Sequence, residues 1–203
     1  SFVLTVENVN DVPEIDVLSY PGTVDEDMEK TFQFIPQDVD ADDTTLSVTV
    51  TSLDMNLVPS DSIIIEPTGP YVSGDTVTVT LKTKLDQFGT TSIILEVMDD
   101  DLAMVSRDLV FTVNNVNDAP VVSAVTPSTN EDTPVTVTFS GSDVDGNSLT
   151  NSIVSNPSDG TLGSIINTNQ VVYTPNTNWN GTDTFTYKAN DGTVDSNTAT
   201  VTI

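Results

Sequence analysis

The side chains with chemistry to offer in this chain are carboxylates and carboxamides, and they come in short clusters. Asn115, Asn117 and Asp118 place three side-chain oxygen donors within four residues. Asp38-Val39-Asp40-Ala41-Asp42-Asp43 carries four carboxylates in six positions, and Asp143-Val144-Asp145-Gly146-Asn147 repeats the theme. Hard oxygen donors at this density suit calcium, which takes six to eight oxygen ligands. An Asp-x-Asp pair on an extended loop points both carboxylates to one side, because side chains there repeat with period two. Asn and Asp also favour turns for purely local reasons. The same residues therefore read equally as turns on separate exposed loops, and both readings stand at this point.

Other chemistries are excluded by what is missing. The sequence has no cysteine and no histidine. Disulfide staples and Cys-type zinc sites are ruled out, as are thiolate and Ser-His nucleophiles, and the commonest general base is gone. Thirty-one acids against five bases give a net charge of −26, which repels nucleic acid and disfavours an anionic membrane surface. No apolar run approaches the length of a membrane span, and no signal peptide is visible. The chain opens in a strand-like run, Ser1-Phe2-Val3-Leu4-Thr5-Val6, and closes in another, Thr198-Ala199-Thr200-Val201-Thr202-Ile203, as an excised piece of something longer would.

The elements that must position the acids are set by an internal repeat. Val6-Glu7-Asn8-Val9-Asn10-Asp11-Val12-Pro13 matches Val113-Asn114-Asn115-Val116-Asn117-Asp118-Ala119-Pro120, an offset of 120 − 13 = 107. Glu26-Asp27 recurs as Glu131-Asp132 and Asp38-Val39-Asp40 as Asp143-Val144-Asp145, both at 143 − 38 = 105. The run from Gly89 to Asp99 pairs with Gly181 to Asp191, at 181 − 89 = 92. A period near 100 residues indicates tandem domains rather than a solenoid. At 203 residues, two domains of about 100 each are expected. Residues 1–12 are assigned to the remnant and linker of a preceding repeat, 13–117 to repeat one and 118–203 to repeat two. Pro120 pushes Ala119 towards an extended conformation, so the linker should be short and extended.

Period-two alternation dominates, and no segment offers a helical stripe. Strands are predicted at 15–18, 31–35, 46–51, 63–65, 76–81, 92–97 and 105–113 in repeat one, with 2–6 as the last strand of the preceding repeat. Repeat two gives strands at 121–125, 134–139, 148–154, 170–173, 183–189 and 197–203. Turn signals such as Asp145-Gly146, Asp159-Gly160, Asn180-Gly181 and Asp191-Gly192 separate several of them. Seven or so short strands per domain make an all-β fold, two tandem Greek-key β-sandwiches of immunoglobulin or cadherin-like shape. The immunoglobulin Cys pair is absent. Trp179, Phe185 and Tyr187 read as core or rim packing. Asn180-Gly181-Thr182 has the form of a glycosylation sequon and reads as a tight turn.

The ordered set Asn117-Asp118-Ala119-Pro120, Glu131-Asp132, Asp143 to Asn147, Tyr173-Thr174-Pro175, Asn180 to Tyr187 and Asp191-Gly192 resembles a bacterial cadherin-like repeat. Such repeats are strung in tandem in large secreted or surface adhesins, including the repeats-in-toxin type. The resemblance covers essentially all of repeat two, and the ends and acidic motifs of repeat one. It implies calcium at the domain joint. Carried over residue by residue, repeat one contributes Glu26 and Asp86. The latter lies in Leu85-Asp86-Gln87, where the family has Asp-x-Glu. The linker gives Asn115, Asn117 and Asp118. Repeat two gives Asp143, Asp145 and Asp191, with Asn147 through its backbone. The amino-terminal joint repeats the scheme with Asn8, Asn10, Asp11, Asp38, Asp40 and Asp99. Asn115 stands where cadherins commonly have Asp, and the linker is one residue shorter before the proline, which predicts fewer ions than an animal cadherin joint. Two carboxylates about 4 Å apart repel by roughly 1 kcal/mol in water and about 4 at an intermediate dielectric. Convergence of Glu26, Asp118, Asp143, Asp145 and Asp191 is then favourable only around a cation.

The resulting expectation is a monomeric, calcium-binding repeat pair of an extracellular bacterial adhesin, without enzymatic activity, whose partners are neighbouring repeats of the same longer chain. Calcium would stiffen the joint into an extended stalk. The alternative is a carbohydrate- or protein-binding module, which an exposed aromatic cluster would favour. Aromatic content is only 6%, with Trp179 the sole tryptophan.

Overall fold

A computed structural model of the chain describes residues 2–4, 9–40 and 45–203. It divides into two compact units, Ser1–Val116 and Asn117–Ile203. Asn8 of the predicted site, Asp42 and Asp43 of the acidic run, and Thr5 and Val6 of the first predicted strand lie outside the described residues. Phe2, Val3 and Leu4 of that strand are exposed and unpaired with any sheet.

Among the described residues, the first unit has eight strands: β1 (Glu14–Val17), β2 (Gly22–Asp25), β3 (Glu29–Gln37), β4 (Ser47–Ser52), β5 (Ile63–Glu66), β6 (Val77–Lys82), β7 (Gly89–Met98) and β8 (Met104–Asn114). They form two four-stranded sheets, in the orders β1-β3-β6-β5 and β2-β8-β7-β4. Alternation is what buries one face of each. In β7, Thr91, Ile93, Leu95 and Val97 point inward while their neighbours do not. In β6, Val77, Val79 and Leu81 do the same. These side chains close on Phe32, Phe34 and Phe111 in one core. Each fully buried aromatic or aliphatic chain contributes about 1.5–3 kcal/mol.

Strand β2 was not expected from the sequence. It pairs with β8 in parallel, Gly22 opposite Phe111 and Asp25 opposite Asn114, so the first segment of the unit crosses from one sheet to the other. Pro21-Gly22 makes that crossing possible. Gly22 sits at φ +60, where a Cβ would be strained.

The second unit follows the same plan with shorter strands: β9 (Val121–Ser123), β10 (Val135–Thr138), β11 (Ser140–Ser142), β12 (Thr150–Ser155), β13 (Gly160–Leu162), β14 (Gln170–Pro175), β15 (Thr184–Asn190) and β16 (Ala199–Thr202). The counterpart of the long β3 is broken at Phe139 into β10, which pairs with β14, and β11, which pairs with β9. Strands β12, β15 and β16 form the other sheet. The crossing seen at β2 survives as a single parallel bridge, Val125 to Val201. The core gathers Val137, Val171, Tyr173, Phe185, Tyr187 and Val201. Tyr187 stacks on Phe139 at 4.4 Å between ring centroids, and its hydroxyl lies 2.6 Å from the Ser123 carbonyl. Phe185 and Tyr187 are thus core residues, whereas Trp179 is only half-buried.

Candidate functional site

Each unit builds its own acidic cluster at the segment that precedes its first strand. In the second unit, the Asn117 amide Nδ2 donates to Asp191 Oδ2 at 2.8 Å. The Asp118 backbone N–H donates to Asp145 Oδ2 at 2.8 Å, and the Asn147 N–H to Asp143 Oδ1 at 3.1 Å. Asn147 also donates from Nδ2 to Asn117 Oδ1 at 3.0 Å. Asp118 and Asp145 present carboxylate oxygens within 4.8 Å of each other.

The first unit reproduces two of these bonds at equivalent positions. Asn10 Nδ2 donates to Asp99 Oδ2 at 3.2 Å, and the Asp11 N–H to Asp40 Oδ2 at 2.6 Å. Asp38 Oδ1 accepts from the Asp40 N–H at 2.8 Å. The sequence offsets of 107, 105 and 92 residues are therefore structural equivalences: Asn10 with Asn117, Asp38 with Asp143, and Asp99 with Asp191.

The Asp143-Val144-Asp145 motif differs from the extended geometry expected of it. Val144 and Asp145 lie in a turn, closed by the Gly146 N–H on the Asp143 carbonyl, with Gly146 at φ +76. The local turn chemistry of Asp and Gly prevails over period-two alternation. The consequence is a division of labour. One oxygen of Asp143 holds the turn and one oxygen of Asp145 holds the linker N–H.

Backbone donors that sequence reasoning missed orient the remaining acids. The Thr193 and Val194 N–H groups donate to Asp191 Oδ1 at 2.6 and 2.7 Å, and the Ala103 N–H to Asp99 Oδ1 at 2.8 Å. Only the Asp191-Gly192 turn signal could have indicated them. The Val194 N–H, the Asn117 amide and the Thr193 N–H together hold the Asp191 carboxyl below its ordinary pKa.

Three further predicted residues, Glu26, Asn115 and Asp86, belong to the first unit. Glu26 is buried and accepts the Val116 N–H on Oε1 at 2.6 Å, within the first unit. Asn115 is exposed. Asp86 is a half-buried turn residue at φ +54 whose N–H donates to Asp27 Oδ1 at 2.9 Å. The same bond recurs in the second unit between Asn178, at φ +57, and Asp132 Oδ1, also at 2.9 Å. What recurs at this place is a turn, and a carboxylate at 86 is replaced by a carboxamide at 178.

The donor set admits one kind of metal. Its groups are carboxylates and carboxamides, with no nitrogen or sulfur ligand, which suits a hard cation such as calcium. Among the described residues the ion pairs are Lys82 with Glu29 and Lys188 with Asp195, and neither touches the clusters. Asp38 Oδ2 and Asp143 Oδ2 are shut off from solvent and have no hydrogen-bond partner. These are equivalent atoms in the two units. Buried polar atoms are normally satisfied, so a carboxylate oxygen left over twice at the same place fits a positive ion.

Residues 117–203 match the family model of the bacterial Ig domain. No curated protein matches the chain. Among solved structures, protocadherin Gamma B2 extracellular cadherin domains 1–5 are similar over 97% of this chain and 40% of that one, at 17% identity and a TM-score of 0.59. The protocadherin gammaB7 EC3–6 structure is similar over 95% and 50%, at 15% identity and a TM-score of 0.53. The chain thus spans half or less of the length of these two structures, and identities this low carry the fold alone. Among the described residues, no helix is long and apolar enough to cross a membrane. The second unit thus matches the bacterial Ig domain model, and the chain has the fold of two tandem cadherin-like, immunoglobulin-type β-sandwiches.

Proposed function

We infer that this chain is a calcium-binding spacer from an extracellular bacterial adhesin, in which calcium restrains the linker between repeats. The observation that carries the reading is the duplicated buried oxygen, Oδ2 of Asp38 and of Asp143, left without a hydrogen-bond partner. In repeat two, Asp118, Asp143, Asp145 and Asp191 would hold the ion, with Asn117 and Asn147 as carboxamide donors. In repeat one the equivalent set is Asn10, Asp11, Asp38, Asp40 and Asp99. Bound calcium supplies the positive charge that the carboxylates lack. Asn117 and Asp118 belong to the linker phrase itself, so holding them removes conformational freedom from the joint. Extracellular modules of this kind bind calcium at about 10⁻⁴ to 10⁻³ M. The bacterial Ig match at 117–203 and the net charge of −26 are in keeping with a surface location and with neighbouring repeats as partners.

Calorimetry of the whole chain in excess chelator, in millimolar calcium and in millimolar magnesium tests this. A calcium-specific rise in melting temperature is expected, since a ligand that binds only the folded form stabilises it. Small-angle scattering should narrow towards a single extended shape on calcium addition. Identical melting and scattering in all three buffers would sink the reading.

A further inference from the structure

The parallel pairing of β2 with β8 is carried one rung further by a side chain. Gly22, Thr23, Val24 and Asp25 stand opposite Phe111, Thr112, Val113 and Asn114. Continued by one step, this register sets Glu26 opposite Asn115. In a parallel ladder a residue donates its N–H to the residue before its opposite number and accepts, on its carbonyl, the N–H of the residue after it. Glu26 makes the first of these bonds, its N–H donating to the Asn114 carbonyl at 3.0 Å. The second is made by its side chain: Glu26 Oε1 accepts the Val116 N–H at 2.6 Å.

A turn explains why the carboxylate takes the place of the carbonyl. Strand β2 ends at Asp25, and Glu26 and Asp27 turn the chain, with Asp27 at φ +61. Asp27 Oδ1 accepts the Asp86 N–H at 2.9 Å, which fixes that turn against the loop before β7. The backbone leaves the ladder here while the Glu26 side chain stays in it. Glu26 is 5% exposed, so the bond to Val116 is shielded from water, and an N–H to a carboxylate is a stronger bond than one between neutral groups. Beside it, Asn114 Nδ2 donates to Asp25 Oδ1 at 3.1 Å. Asp25 and Glu26 together grip the chain from Asn114 to Val116.

We propose that Glu26 is a positioning residue that clamps the start of the linker to repeat one, with no metal required. Asn114, Asn115 and Val116 then move as part of repeat one, and the freedom of the joint begins at Asn117. Every bond in this arrangement lies within the first unit. The inference therefore stands apart from the calcium reading, and it is tested where no calcium is present.

Amide hydrogen exchange of the whole chain, read by NMR in excess chelator and in millimolar calcium, is the test. The Val116 amide should be protected in chelator, and to the same extent in calcium. Glu26→Ala should speed its exchange by about tenfold or more, as the loss of a hydrogen bond to a charged acceptor would. Glu26→Gln keeps an acceptor oxygen and should restore most of the protection. The amides of Leu95 and Phe111, two core residues of the first unit, report whether each variant is folded. A Val116 amide that exchanges freely in chelator, or is protected only in calcium, would overturn the proposal. So would Glu26→Gln exchanging at Val116 as fast as Glu26→Ala while Leu95 and Phe111 stay protected.

Discussion

The Tyr173 hydroxyl donates to Asp183 Oδ2 at 3.0 Å in the interior of repeat two. Asp183 also accepts the N–H groups of Ser158, Asp159 and Thr184, at 3.0, 2.9 and 2.8 Å. One buried carboxylate thereby fastens the loop before β13 to the start of β15. Repeat one does this with neutral groups: Thr91, the counterpart of Asp183, accepts the Asp54 N–H on Oγ1 at 3.0 Å. Truncating Asp183 strands several donors, each costing about 1–3 kcal/mol. Asp183→Ala should therefore lower the stability of repeat two by at least about 3 kcal/mol, and Tyr173→Phe by about 1. Urea unfolding of the whole chain, followed through Trp179 fluorescence, measures both. Equal, small effects would show that the network is replaceable by water.

The same pair sets a pH dependence. Burial raises the pKa of Tyr173, and Asp183 beside it raises it further, to about 12 from 10.0. Stability from the neutral hydroxyl is complete below pH 10 and is lost as the pH rises through about 12. For Asp183, burial pushes the pKa up, but the Ser158, Asp159 and Thr184 N–H groups and the Tyr173 hydroxyl outweigh it, leaving the value below the ordinary 3.8. Its contribution is present above that value and disappears as the pH falls through the lower folded one. Melting temperatures for repeat two should accordingly fall at both ends of the scale, and Tyr173→Phe should flatten the alkaline limb. An unchanged alkaline limb in that variant would remove Tyr173 as its cause.

Gly160 lies against the other side of the Tyr173 ring. A Cβ placed there would stand 2.4 Å from Cε2. The ring cannot retreat without breaking its bond to Asp183. Gly160→Ala should cost about 1–3 kcal/mol by overpacking. Gly163→Ala, whose Cβ would meet nothing closer than 3.7 Å, is the control. Chemical denaturation of the two variants in parallel separates a steric cost from a general loss of glycine.

Much of this was legible in the sequence, because strong alternation and a duplicated motif both survive translation into structure. The strands β6, β7 and β15 announce themselves through residues such as Val77-Val79-Leu81 and Phe185-Tyr187-Ala189. Strands β2, β11 and β13 did not, since each is defined by its partner rather than by its own apolar pattern; Ser140-Gly141-Ser142 has no apolar residue at all. Asp183 was hidden for a related reason. An acid at a strand start looks solvent-facing, and only three-dimensional convergence of N–H donors makes it an interior residue. At the clusters, residue identity and order were readable and Asp145-Gly146 signalled a turn, but which carboxylate oxygens would serve the turn and the linker was not, because that depends on backbone donors brought together in three dimensions.

That turn gives the sharpest test of the metal reading. Asp143 Oδ1 accepts the Asn147 N–H, while Oδ2 is buried and has no partner. Asp143→Asn keeps the first acceptor, replaces the second oxygen by an amide donor and removes one charge from a cluster that includes Asp118 and Asp145. If the carboxylate is kept for a cation, the variant should melt higher than the parent in chelator, by the relief of about 1 kcal/mol of repulsion, a few degrees for a domain of this size. It should also lose most of the calcium-induced rise. The two changes have opposite signs, so a merely structural Asp143 cannot produce both. A variant that melts lower than the parent in chelator, with the calcium response intact, would mean that Asp143 serves the turn alone and that the ion is held without it.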